Sequence, residues 1–165
     1  MTAHSPFPLE GGCGCRDVRY RLETPPLFVH ACHCSWCQRE TGTAFALNAM
    51  IESDRVTLLS GTPKIVKTPS NSGAGQMIAR CPACDIAVWS NYGGGGDRIR
   101  FVRVGTLDQP AAAPPDIHIF TSTKQPWISL PPGAPAVPDY YDREAHWPRE
   151  SLERWRLFLA GRPRG

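Results

Sequence analysis

A single, mostly β domain built around zinc and closed by a C-terminal helix is what the sequence predicts, on three observations. Short apolar stretches of strand length recur along the chain with Gly, Pro, Ser and Asn between them, the pattern of many short strands joined by turns. Pro 17 and Gly 15 in 165 residues argue against long helices over most of the length. Seven cysteines fall in three close groups, Cys13/Cys15, Cys32/Cys34/Cys37 and Cys81/Cys84, and none stands alone. Thiolate is the metal-binding form of cysteine, and soft sulfur selects zinc or iron–sulfur clusters.

Residues 1–10 read as a flexible leader. Asp17–Leu22 alternates polar and apolar residues, the period of a half-buried strand, and Pro25-Pro26 breaks it. Leu27–His30 begins a second strand that runs into the thiol cluster. Ser35–Thr41 predicts one or two helical turns with Gly42 at the left-handed stop position. Phe45–Ile51 is a buried strand. Val56–Leu59 and Pro63–Val66 are two short strands around the Ser60-Gly61 turn. Pro69–Gly75 is a surface loop, Met77–Ala79 leads into the second thiol pair, and Ile86–Trp89 leaves it. Gly93–Gly96 is a turn before the strand Ile99–Val104. From Gln109 to Pro138 the chain is proline-rich and lies extended, with Ile117–Phe120 as one more strand. Pro148 suits the first turn of a helix, and Leu152, Trp155 and Leu159 recur at helical spacing before the basic tail Arg162-Pro163-Arg164.

Composition narrows the function. A net charge of +3 falls short of the basic footprint of a nucleic-acid binder. No apolar run reaches membrane-spanning length, and the N-terminus carries no basic and apolar signal-peptide pattern. An odd number of cysteines without an export signal argues against a disulfide framework and for a reducing cytoplasm. No partner of nucleic-acid or membrane type is expected.

The chemistry-bearing residues are the thiols. Four plus three suggests one filled tetrahedral site and one lacking a ligand, the asymmetry that separates structural from catalytic zinc. Gly12 and Gly14 let the Cys13-Gly-Cys15 backbone bend onto one metal, and Cys81-Pro-Ala-Cys84 is a knuckle of zinc-ribbon type. Those two pairs together would complete a Cys₄ set, although spacing alone leaves open which pair joins which. On an extended segment Cys32 and Cys34 point one way and His33 the other, so His33 is the poorer ligand, with core or supporting duty as its alternative. Cys37, at the start of a helical turn, can close back toward Cys34, and three ligands leave a position for water or an incoming thiol. Trp36, Trp89 and Trp127 read as core. Arg16, Arg39 and Lys124 are candidates to grip a substrate carboxylate. A serine-nucleophile elbow is missing, and Gly93–Gly96 lacks the Lys and Ser/Thr of a phosphate loop.

Five segments, taken in order, resemble one known family: Gly11–Tyr20 around Cys13 and Cys15, Cys32–Phe45, Cys81-Pro-Ala-Cys84, Val104–Asp108, and His118-Ile119-Phe120. The chain is similar over about Gly11–Asp142 to the glutathione-dependent formaldehyde-activating, or centromere-protein-V-like, enzymes. The resemblance implies a β-tent of stacked antiparallel sheets with two zinc sites. Cys13, Cys15, Cys81 and Cys84 would hold the structural ion, and Cys32, Cys34 and Cys37 the catalytic one. It further implies addition of the glutathione thiol to formaldehyde, classed in reverse as a carbon–sulfur lyase reaction. Asp85 stands where the family usually has Gly, and the segment from Arg143 has no counterpart there. Expected organisation is therefore a leader over 1–10, a zinc-binding domain over 11–142, and a helix with basic tail over 143–165 packed on it. The rival readings are a zinc-stabilised scaffold without turnover, and the same site acting on another thiol or aldehyde.

Overall fold

The computed structural model describes residues 6–161. Among them, ten strands form two sheets. The smaller is antiparallel, in the order β1 (Leu9–Gly12), β2 (Arg19–Leu22), β5 (Val56–Ser60). The larger runs β10 (Ile117–Ile119), β3 (Phe28–Cys32), β4 (Ala46–Glu52), β9 (Ile99–Arg103), β8 (Ala87–Tyr92), β7 (Gln76–Arg80), β6 (Lys64–Thr68). Helix α1 (Ser35–Thr41) follows β3, and α2 (Arg143–His146) and α3 (Arg149–Ala160) end the chain.

Alternation along the strands assigns side chains to two cores. One lies between the sheets, where Leu9, Tyr20, Leu22 and Val56 of the small sheet meet Val29, Ala49, Ile51, Trp89 and Val102 of the large one. Tyr20 and Trp89 cross edge to face at 5.9 Å, and the Tyr20 hydroxyl is 2.6 Å from Thr106 Oγ1. The second core lies on the opposite face of the large sheet. There Phe28, Cys32, Met50 and Ile99 are covered by Trp147, Trp155 and Phe158 from the C-terminal segment. The result is three layers: small sheet, large sheet, helix. No helix among the described residues is long and apolar enough to cross a membrane.

Several expectations change. Leu9 and Glu10, assigned to a leader, already form β1, and Leu9 is buried; residues 1–5 and the tail Arg162–Arg164 lie outside the described residues. The sheets are not wholly antiparallel, because β10 runs parallel to β3 with Ile117 opposite His30 and Ile119 opposite Cys32. Parallel pairing needs a long crossover, which the proline-rich run after β9 supplies. The strands around Ser60-Gly61 do not form a hairpin: β5 pairs with β2, and β6 with β7. Gly61 turns at φ +70 between them, and Pro63 has no N–H to donate across a hairpin. On α3 the packed residues are Ser151, Leu152, Trp155 and Phe158, so Leu152 and Trp155 pack as expected, while Leu159 is 41% exposed. Trp155 stacks on Phe158 at 4.8 Å, which turns the helix by about one residue from the Leu159 face.

A partly buried ion pair anchors α3 to the large sheet. Arg154 Nε and Nη2 donate to the two carboxylate oxygens of Glu52 at 3.0 and 2.5 Å, and Nη1 donates to Pro25 O at 2.8 Å. Arg154→Met leaves the Glu52 carboxylate with only Arg55 Nε at 3.5 Å and is expected to cost about 1–3 kcal/mol, read as a lower urea midpoint. An unchanged midpoint would show that the pair contributes nothing.

Candidate metal centres

The first cluster joins the two sheets. After β1 the chain turns through Cys13–Arg16, with Arg16 at φ +67, Cys13 N–H donating to Val18 O at 3.0 Å and Arg16 N–H to Cys13 O at 3.2 Å. Gly11 is required just before it, since a Cβ there would lie 2.6 Å from Thr106 O. Between β7 and β8 the knuckle closes by Cys81 N–H to Ile86 O and Asp85 N–H to Cys81 O, both at 3.0 Å. The four Sγ atoms of Cys13, Cys15, Cys81 and Cys84 lie within 4.8 Å of one another, with Cys13–Cys15 at 3.5 Å and Cys15–Cys81 at 3.6 Å. Zn–S bonds of about 2.3 Å in a tetrahedron set sulfur–sulfur edges near 3.8 Å, so the quartet fits a zinc ion. Val18 N–H and Ala83 N–H point at Cys13 and Cys81 sulfur at 3.3 and 3.4 Å. Backbone N–H groups of Ile86 and Cys15 also bring the Cys84 thiol down to about 6. All of these donors favour thiolates.

Asp85 occupies the knuckle's left-handed corner at φ +61. Its carboxylate pairs with Lys64 Nζ at 2.5 Å, and its carbonyl accepts from Arg80 Nη1 at 3.0 Å. Asp therefore adopts the backbone conformation that Gly adopts most readily, and the turn is kept. Asp85→Gly is expected to shift stability by no more than about 0.5 kcal/mol, while Asp85→Val, β-branched at positive φ, loses about 1–2 kcal/mol. Thermal melts of the metal-loaded chain would show it; equal melts for the two variants would contradict it.

The second cluster is a trio. Cys32 ends β3, Cys34 caps α1, and Cys37 lies in its first turn, with Cys37 N–H to Cys34 Sγ at 3.4 Å. Gly42 closes the helix at φ +65, its N–H donating to Gln38 O at 2.8 Å, as the sequence predicts. The three Sγ atoms lie within 4.8 Å of one another and all three residues are buried. The side chains of Cys32 and Cys37, then the N–H groups of Cys37 and Trp36, pull the Cys34 thiol down to about 3. Its neighbours and burial push Cys32 the other way. One thiolate is thus favoured at once, and a cation is needed before all three can ionise together.

Other expected residues divide. His33 is buried outside the trio, Nε2 3.0 Å from His118 Nδ1 and its ring 5.0 Å from Phe45. Its carbonyl accepts from Gln38 Nε2 at 2.7 Å and Thr123 Oγ1 at 3.0 Å, so its duty is supporting. Trp89 is core as expected. Trp36 and Trp127 are not: both are exposed, Trp127 at 71%, because α1 and the 121–131 loop turn them outward. Arg16 and Arg39 lie exposed, whereas the Lys124 ammonium donates to Gln125 O and Ile128 O in its own loop.

Sequence reasoning missed the groups on the trio's side of the large sheet. His30, two residues before Cys32 and on the same face, has Nε2 2.6 Å from the Tyr141 hydroxyl. Trp147 Nε1–H donates to that hydroxyl at 2.7 Å, so the hydroxyl proton is directed at His30. Burial, aided by nearby Arg143, keeps the imidazole neutral, with its pKa lowered to about 4. The Tyr-Tyr and His-Trp dipeptides were visible, but nothing local says which strand they cover.

The family model described as glutathione-dependent formaldehyde-activating enzyme matches residues 8–123, with both clusters inside the match. The chain belongs to that family. A curated protein of Halomonas elongata, described as "Putative glutathione-dependent formaldehyde-activating enzyme", is 24% identical over 161 residues, spanning 92% of this chain and 96% of that one. A crystal structure of a Rhodobacter sphaeroides protein aligns with a TM-score of 0.47 at 19% identity, over 61% of this chain and 88% of that chain. The match to the glutathione-dependent formaldehyde-activating enzymes ends before Tyr141 and Trp147, so the aromatic cover over the trio's face lies outside it.

Proposed function

We propose that this chain is a zinc-dependent enzyme of carbon–sulfur lyase type that joins glutathione or a similar small thiol to formaldehyde or a related aldehyde. The observation that carries the reading is the trio of buried, converging sulfurs with three protein donors where the quartet has four. Cys13, Cys15, Cys81 and Cys84 hold a structural zinc in this reading. Cys32, Cys34 and Cys37 hold a second and are the catalytic set. The fold is a β-tent whose metal-organised domain runs from β1 at Leu9 to 142, with 143–161 packed on it. A reducing compartment, the cytoplasm, keeps such thiols available to metal.

Cys32, Cys34 and Cys37 would hold the zinc, which would supply a lowered pKa to a thiol brought beside it and so a thiolate near neutral pH. Cys34, with the helix N–H groups at its sulfur, anchors that set, and α1 holds Cys37 against it. The thiol sulfur bonds to the aldehyde carbon, the C=O electron pair moves to oxygen, and the thiol proton ends there as a hydroxyl. Burial of Cys32, Cys34 and Cys37 keeps bulk water away from the reacting sulfur. Arg39, exposed on α1 just past Cys37, is the group best placed to meet a carboxylate of the thiol.

The test is the rate at which glutathione and formaldehyde exchange with S-hydroxymethylglutathione, followed by exchange NMR with and without the zinc-loaded chain. Acceleration above the spontaneous rate supports the reading, and none, with two zincs bound, rejects it. The slight exposure of all three thiols favours the rival scaffold reading, which expects that second outcome.

A further inference from the structure

The last residue of β9, Arg103, is a buried cation with no carboxylate partner among the described residues. It is 7% exposed. Nη1 donates to Asn48 Oδ1 at 2.5 Å and Nη2 to Ser90 Oγ at 3.1 Å, both neutral acceptors. Its Nε is buried with no hydrogen-bond partner among the described residues. Three other shielded guanidinium groups are paired with carboxylates, Arg154 with Glu52, Arg80 with Glu40 and Arg19 with Asp108, while Arg100, held by Val56 O, lies over the Trp89 ring instead. A guanidinium does not shed its proton, so an isolated one in a dry interior is expensive unless negative charge lies close by.

Strand register shows where that charge sits. His30 of β3 faces Asn48 of β4, and Asn48 faces Arg103 of β9, a row across one face of the large sheet. Cys32 is the next β3 residue on that face, with Cys34 and Cys37 gathered over it.

Charge counting gives the role. Three thiolates around a divalent ion leave one net negative charge, in a site where all three sulfurs are shielded from water. One guanidinium cancels it. The quartet needs no such device, because Cys15 is exposed and Cys84 half-buried, so solvent screens the excess there. We propose that Arg103, held in place by Asn48 and Ser90, is the counter-charge of the three-thiol site. It is a positioning residue that makes three ionised sulfurs tolerable and lessens the repulsion met by an anionic fourth ligand. This role rests on the reading that the trio holds a divalent metal.

The experiment uses the full chain loaded with zinc and titrated with a chromophoric chelator, which resolves a tight from a labile ion. Arg103→Met is expected to weaken the labile ion about ten- to a hundredfold and to leave the tight one unchanged. Arg103→Lys, which keeps the charge, restores most of the loss. Asn48→Asp supplies a carboxylate to the guanidinium, spends its charge locally, and weakens the labile ion as well; it serves as the deciding variant should Arg103→Met not fold. A purely structural arginine would not distinguish the two zincs, nor respond to Asn48→Asp. A wild-type chain binding a single zinc would remove the metal reading, and this role with it. Two zincs with Arg103→Met or Asn48→Asp titrations superimposable on wild type would remove the counter-charge role alone.

Discussion

Cys81→Ser is expected to abolish the cooperative unfolding transition. Cys81 is fully buried, at the end of β7 and at the centre of the quartet. Its sulfur lies 3.6 Å from that of Cys15, 66 positions earlier in the chain. The quartet therefore ties the β1–β2 turn of the small sheet to the β7–β8 knuckle of the large one. A structural zinc contributes on the order of 10–16 kcal/mol of folding free energy, against a total stability of roughly 5–15 kcal/mol for a domain. Losing a ligand removes a share comparable to the whole. Near-ultraviolet circular dichroism on heating should show a broad, featureless change for the variant, and strong chelators should do the same to the wild type. A sharp melt within a few degrees of wild type would mean that the inter-sheet core around Tyr20 and Trp89 suffices without metal.

The same substitution in the trio is expected to behave in the opposite way. Cys37→Ser removes one of three sulfurs and one small member of the second core, but leaves the Cys34 cap, the Gly42 stop and the inter-sheet core intact. Its structural cost is that of one changed buried polar group, about 1 kcal/mol, a fall in Tm of roughly 2–4 °C for a chain of this size. Zinc should drop from two per chain to one, and acceleration of glutathione–formaldehyde exchange should fall to the spontaneous rate. Elemental analysis beside the exchange assay checks both together. A Cys37→Ser chain that keeps two zincs and full acceleration would place the reaction elsewhere.

These two variants differ because the clusters occupy different places in the fold. The meeting of Cys13/Cys15 with Cys81/Cys84 needed the fold, but cysteine spacing made the three close thiol groups visible, since Cys-x-Cys and Cys-x-x-Cys are local patterns whose geometry a few backbone angles determine. The α1 stop at Gly42 was legible for the same reason. The strand that carries Arg103 was legible too, but its meaning was not. Asn48 and Ser90 reach it from 55 and 13 positions away, and nothing in the residues around 103 says that a thiol cluster lies two strands across. Tyr141 meets His30 across 111 positions. Trp36 and Trp127, taken for core by residue type, face outward because their own backbone turns them there.

By itself, then, the sequence determined the β-rich class, the seven thiols in their three close groups, and the local turns that present them. Those features depend on neighbours a few residues apart. Tertiary structure alone decided that β5 and β6 part into different sheets, that β10 joins β3 in parallel, and that the C-terminal aromatics cover the trio's face with a buried arginine beside it. Each of these turns on which distant strands lie side by side. Pairing across tens of residues is chosen by the burial available to the whole chain, which no local stretch encodes.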